Sequence, residues 1–206
     1  MHRSSESAAM SSIVSAPVEF PGKAHFVEAL DEALALDGSA NVTASIRSAL
    51  CRLIEEQRIE LPACVYKPLP DHYARRELYR SERYGYAVVA MTWGPGQGTP
   101  IHDHAGLWCV EGVWQGALEI SQYELSERDD QRFRFRPVGT IQAVAGSAGS
   151  LIPPHEYHAI LNPSKRSVTV SVHIYSARMT NCSVFSPLGD DWYQRKQRPL
   201  TLDRMQ

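Results

Sequence analysis

The sequence predicts a mainly β protein, a small barrel with a short helical segment packed in front of it. Three observations carry this expectation. After Pro62 the chain breaks into short runs rich in Val, Tyr, Thr and Ile, separated by Gly, Pro, Asn and Asp turns, as in a sandwich or small barrel. Before Pro62 the apolar residues recur at helical spacing instead. At 206 residues and 23.0 kDa, the chain is long enough for one well-filled core, and a second full domain is not expected.

Residues 1–20 read as a polar, disordered tail that lacks the apolar core of a secretory signal, with Met10 as an alternative start. Residues 21–66 form the helical segment. Phe26, Leu30, Ala33 and Leu34 are spaced for a helix over 24–36, which Asp37 and Gly38 end. A second helix is expected over 41–57, with Ile46, Leu50, Leu53 and Ile54 as its apolar stripe and Asn41 or Thr43 as its cap. Residues 67–206 form the barrel domain. Its strands are expected at 72–80, 84–93, 107–114, 117–124, 132–136, 141–145, 149–152, 158–162 and 167–176, with 126–132 a solvated hairpin loop.

Composition narrows the function. Hydrophobic content of 43% and charged content of 21% are ordinary for a soluble globular protein. A net charge of -2 shows no basic excess, so no nucleic-acid partner is expected. No apolar run approaches the roughly 20 residues a membrane helix requires, so no membrane partner is expected either. Cys51, Cys64, Cys109 and Cys182 are too scattered for a disulfide framework, which points to a reduced, cytoplasmic setting.

Two blocks carry chemistry. The first runs from Gly96 through His102, Asp103, His104 and Cys109 to Gly116; the second runs from Gly149 through His158 to Asn162. Side chains alternate along a strand, so His102 and His104 leave one face, and a third histidine from a later strand completes three neutral nitrogen donors for a divalent metal. His158 and His155 compete for that third place, and only His158 has Asn162 four residues later. Asp103 points to the opposite face and reads as a structural hydrogen-bond acceptor. Three imidazoles would accept zinc, copper, nickel or iron. Ser171, His173 and Tyr175 also alternate onto one face, a pattern equally compatible with a polar row facing solvent.

The paired blocks resemble those of the cupin superfamily, jelly-roll β-barrels that hold metal inside the barrel mouth. Every spacing matches except that Cys109 stands where that pattern has Glu. With no acidic ligand, three neutral imidazoles leave the metal its full charge and open positions. This variation is similar to the cysteine dioxygenase family of thiol dioxygenases, a likeness covering roughly residues 67–190 and including the Ser171, His173, Tyr175 series thirteen residues after His158.

The resemblance implies one Fe(II) per chain, held by His102, His104 and His158, and no organic cofactor. It gives Tyr175 a hydroxyl presented to substrate and oxygen, oriented by His173 and Ser171. It also implies a thioether cross-link between Cys109 and Tyr175. A Tyr-x-Arg pattern before the metal block points to Tyr73 and Arg75 as substrate-binding, whereas ungapped counting from His102 points to Arg76. A guanidinium there would pair the substrate carboxylate. Cys182 matches a cysteine at the pocket mouth. The implied function is oxidation of L-cysteine with O2 to cysteine sulfinic acid. The alternatives are a 3-mercaptopropionate or other small-thiol dioxygenase, a metal-dependent isomerase or hydrolase, and a non-catalytic binding cupin. The expected partners are a small thiol and O2, in a monomer or weak homo-oligomer.

Overall fold

The computed structural model describes residues 18–35 and 38–205. Helix α1 (Lys23–Leu34) buries Phe26, Ala29, Leu30 and Ala33, one stripe at helical spacing. The expected end at residues 36 and 37 lies outside the described residues, as do residues 1–17 of the tail. Residues 18–20 lead into α1, and Phe20 stacks edge-on against Phe26 with ring centres 6.4 Å apart. Helix α2 (Ser39–Glu56) starts earlier than expected, directly after Gly38, so neither Asn41 nor Thr43 caps it. Thr43 lies inside its first turns, where its hydroxyl donates to the Ala40 carbonyl at 3.2 Å. A 3-10 turn (Ala63–Tyr66) then leads into the strands.

Eleven strands follow among the described residues: β1 (Ala74–Arg80), β2 (Ala87–Trp93), β3 (Ile101–His102), β4 (Cys109–Gln115), β5 (Ala117–Arg128), β6 (Arg132–Val144), β7 (Ala148–Leu151), β8 (His158–Leu161), β9 (Thr169–Tyr175), β10 (Asn181–Gly189) and β11 (Trp192–Pro199). They form two antiparallel sheets. One has five strands in the order β1-β2-β9-β4-β7, and the other closes on itself in the order β10-β11-β6-β5-β8-β3. This is the mainly β, jelly-roll barrel expected of a cupin, with its helices in front.

Several strand expectations change. The two runs 132–136 and 141–145 are one strand, β6, whose middle stays extended because β5 pairs with it throughout. The loop at 126–132 shrinks because β5 continues to Arg128. Strands β10 and β11 were not expected. Most of β11 is exposed, so it carries no apolar alternation, and backbone pairing to β10 and β6 holds it.

The five-stranded sheet is covered on both faces. Val88, Ala90, Val110, Val170, Val172 and Ile174 face the helices. The opposite residues Val89, Met91, Trp93, Cys109, Val113 and Tyr175 face β5, β6 and β8 of the closed sheet. Gly112 shows how tightly α2 lies on β4, because a Cβ added there would meet Leu50 Cδ2 at 2.6 Å. Covered on both sides, β2 and β9 bury every residue. The polar series on β9 therefore points into the barrel, not into solvent.

Candidate metal centre and its neighbours

His102 and His158 pair directly across β3 and β8. Strand β3 ends at His102, so His104 is not on the same strand, contrary to expectation. A turn delivers it instead. Ala105 and Gly106 both take positive φ, and the Asp103 carboxylate accepts the Ala105 N–H at 3.1 Å and the Ser183 N–H at 2.7 Å. Asp103 is thus the structural acceptor expected of it. The three rings still converge, with centroids 4.3 to 5.4 Å apart and one ligand atom of each within 4.8 Å of the others. His155 is exposed and stands outside this group.

The donor set suits a cation. His102 Nδ1–H donates to the Pro100 carbonyl at 3.1 Å and His158 Nδ1–H to the Glu156 carbonyl at 2.8 Å, which leaves Nε2 of each ring with its lone pair free. His158 Nε2 and His104 Nδ1 are buried without any partner. Burial pushes all three histidines below their ordinary range, so each imidazole is neutral, the form that ligates a metal. Asn162 sits behind them. Its side-chain amide donates to the carbonyls of Trp93, Gly94 and Ser167, pinning the end of β8 against the end of β2.

Register fixes the facing wall. Across β2, β9 and β4 the inward rows read Ala87–Tyr175–Cys109, Val89–His173–Glu111 and Met91–Ser171–Val113. Cross-strand partners share a face, so Arg75, which pairs with Met91, points inward with them, and Arg76, which pairs with Ala90, does not. Arg76 is consumed by Thr92 Oγ1 at 3.0 Å, the Lys67 carbonyl at 3.1 Å and the Arg204 carbonyl at 3.4 Å. Arg75 gives one Nη to the Thr201 carbonyl at 3.2 Å and keeps a buried Nε without a partner. Tyr73 stacks on Trp93 with ring centres 4.6 Å apart.

Tyr73, Arg75, His102, His173, Tyr175 and Cys182 all line one cavity of about 20 Å³. It adjoins a cleft of about 380 Å³ that shares Arg75, Met179 and Leu200. A separate apolar cavity of about 140 Å³, walled by Val113, Leu118, Ile120 and Ala143, reaches Glu111, Ser171 and His173.

Within the wall, Trp93 Nε1–H donates to Ser171 Oγ at 2.8 Å, and Ser171 Oγ lies 2.8 Å from His173 Nε2. His173 Nδ1 faces Tyr175 Oη at 3.5 Å and Cys109 Sγ at 4.0 Å. Burial, with Arg75 nearby, drives His173 down to about 3, while burial holds Cys109 and Tyr175 well above their usual values. These two stay a thiol and a phenol.

A profile of the family described as Cysteine dioxygenase type I matches residues 68–187. The chain belongs to that family. Cysteine dioxygenase type 1 of Danio rerio is 26% identical over 100 residues, covering 48% of this chain and 49% of that protein. The Rattus norvegicus protein of the same name is 23% identical over 120 residues, covering 55% and 59%. The chain thus spans about half the length of the curated relatives it matches. Among solved structures, a Klebsiella pneumoniae protein with a double-stranded β-helix domain is 18% identical, with a TM-score of 0.44 over 59% of this chain and 85% of that one.

This cysteine dioxygenase family member buries two acids, Glu111 and Glu156, and Glu111, which the sequence reading overlooked, lies among the histidines. Cys109 is not a carboxylate, but a carboxylate is present in its neighbourhood. Glu111, two residues on and on the same strand face, puts Oε2 3.4 Å from His173 Nδ1 and 3.8 Å from His158 Nε2. With Cys109 and His173 it makes a second group of close donor atoms. Burial pushes its carboxyl up to about 7, and Oε2 has no hydrogen-bond partner. The signal was strand alternation from Cys109. No helix of the described residues is long and apolar enough to cross a membrane, and all four cysteines are free.

Proposed function

We propose that the protein is an iron(II)-dependent thiol dioxygenase that adds both atoms of O2 to the sulfur of L-cysteine, converting a thiol to a sulfinic acid. The observation that carries this reading is a group of three neutral, cation-ready imidazoles, one of which, His102, shares a small cavity with the inward Arg75. His102, His104 and His158 would hold the metal. When bound, ferrous ion supplies a cation that binds a thiolate and passes electrons between sulfur and dioxygen.

The remaining work falls to this chain's own groups. Arg75 pairs the substrate carboxylate through its buried, unpartnered Nε, a charge-assisted contact. Choosing Arg75 over Arg76 follows from β1 register. The phenol of Tyr175, kept protonated by burial, donates to charge that develops on the oxygens, with His173 and Ser171 behind it. The inner cavity holds about one water, so the reacting atoms work in a nearly dry space. The stacked rings of Tyr73 and Trp93 line it, as does Cys182.

Oxygen uptake by iron-loaded protein tests the reading, with L-cysteine, 3-mercaptopropionate and cysteamine compared. L-Cysteine should give the highest kcat/KM, with both sulfinate oxygens labelled from 18O2. A preference for 3-mercaptopropionate would move the substrate but keep the reaction. No uptake with any thiol would overturn it.

A further inference from the structure

Trp93 Nε1–H is a donor and nothing else, so Ser171 Oγ, 2.8 Å away, must accept from it. The serine keeps its own hydrogen, and His173 Nε2 lies 2.8 Å from the same oxygen. If Ser171 donates to Nε2, the neutral imidazole carries its proton on Nδ1. Nδ1 faces Glu111 Oε2 at 3.4 Å, an ion-pair distance, and that buried oxygen has no hydrogen-bond partner. The chain Trp93, Ser171, His173 then runs in one direction, each donor meeting an acceptor, and the Nδ1–H is left facing the Glu111 carboxylate. In the opposite tautomer the Tyr175 hydroxyl can donate to the bare Nδ1, but Glu111 Oε2 is left against a lone pair with no donor.

We propose that Glu111 is a positioning residue whose carboxylate holds His173 in its Nδ1–H tautomer and so leaves the Tyr175 hydroxyl free to donate into the cavity. Tyr175 Oη is 3.5 Å from the same Nδ1. A ring protonated there cannot accept the phenol hydrogen, so that hydrogen turns away from His173. Register makes the arrangement inherent to the sheet, because Glu111 and His173 are direct partners across β4 and β9. The tautomer itself is independent of the reaction proposed above; only the consequence for Tyr175 rests on that reading.

Long-range ¹H–¹⁵N correlation on the full chain, loaded with diamagnetic zinc and recorded at pH 8, reads the tautomer directly. His173 should carry its proton on Nδ1 in the wild type. It should do so again in Glu111→Gln, whose side-chain oxygen still accepts. Glu111→Leu should move the proton to Nε2. A wild-type proton on Nε2 overturns the proposal, and so does an unchanged tautomer in Glu111→Leu. If Glu111→Leu does not fold, the wild-type spectrum still decides. In iron-loaded protein Glu111→Leu should lower kcat about 10–100-fold without raising KM for the thiol, and Glu111→Gln should recover part of that loss. Wild-type protein that takes up no oxygen would sink the functional reading and leave the tautomer result standing.

Discussion

The three histidines lie on the closed sheet and the turn beside it, whereas Cys109, Glu111 and His173 lie on the five-stranded sheet. Both groups are buried, and both bring three donor atoms close together. They differ in what surrounds those atoms. His102 and His158 spend Nδ1 on backbone carbonyls, so their remaining lone pairs have no protein donor to meet. In the second group Ser171 and Tyr175 meet both ring nitrogens of His173, and Glu111 Oε2 faces that ring without a hydrogen bond of its own. A buried polar group without a partner is costly, so the first arrangement calls for a cation and the second is a hydrogen-bonded network.

The sharpest way to break this distinction is to remove one member from each group. His158→Ala should lose iron on gel filtration, a loss exceeding the roughly 10–100-fold that removing an outer partner costs. Oxygen uptake should vanish with it. Glu111→Gln should retain iron close to one per chain by elemental analysis. Equal retention in the two variants would mean that the groups are not distinct in role.

Arg75 and Arg76 give a second contrast, set by adjacent positions on one strand. Arg75→Ala should raise KM for L-cysteine about 10–100-fold, since hydrogen bonds to charged groups contribute roughly 1.5–3 kcal/mol. Cysteamine, which has no carboxylate, should lose little. Arg76→Ala should leave KM alone and lower stability by roughly 1–3 kcal/mol, because the carbonyls of Lys67 and Arg204 and the Thr92 hydroxyl lose their donor. Thermal unfolding beside steady-state kinetics separates the two effects. Exchange of the two phenotypes would reverse the register assigned to β1.

Much of this was legible in the chain because the relevant strands advertise themselves. The alternation of Ser171, His173 and Tyr175 with Val and Ile needed only strand geometry to be read, whereas His104 reaches the group from a turn that alternation along a strand did not foresee. What alternation could not supply was which face is covered, and two helices over the five-stranded sheet decide that. Arg75 against Arg76 was illegible because it depends on the partner strand, and β1 even shifts register between Glu77 and Tyr79. Glu111 went unread for a related reason. A lone Glu in a strand reads as solvent-facing until its cross-strand partner is known to be a buried histidine. Strand β11 went unread because exposed charged residues follow no apolar period.

A smaller effect is expected where the two groups meet. Cys109 and Tyr175 are direct partners across β4 and β9, and both are buried. A thioether between the cysteine sulfur and a tyrosine ring carbon removes one hydrogen from each, and dioxygen takes up the electron pair as hydrogen peroxide. Intact mass after aerobic turnover with iron should show a fraction of chains lacking a pair of hydrogens. Cys109→Ser should show none and should keep its iron. An unmodified mass after prolonged turnover would leave Cys109 as packing alone.

The smallest effect lies outside both groups, at a histidine in contact with water. His72 Nε2 bonds Asp203 Oδ1 at 3.1 Å, while the other oxygen of Asp203 accepts the Arg75 backbone N–H at 2.8 Å. The hydrogen bond from Asp203 raises the His72 value above its ordinary 6.5, with Asp71 adding to it and partial burial opposing. A histidine raised on folding stabilises the folded chain below its unfolded value, and this contribution fades as pH climbs through the folded one. The side chain is 42% exposed, so solvent screening limits the effect to a few tenths of a kcal/mol. The wild-type midpoint in urea should therefore exceed that of His72→Gln slightly at about pH 5.5, with the gap closing by about pH 8.5. The neutral histidines of the metal group predict the opposite slope on acidification, because each must gain a charge in a buried site. Both chains should thus lose stability on acidification while the small gap between them opens; a gap that does not change with pH would show that Asp203 does not favour a protonated His72.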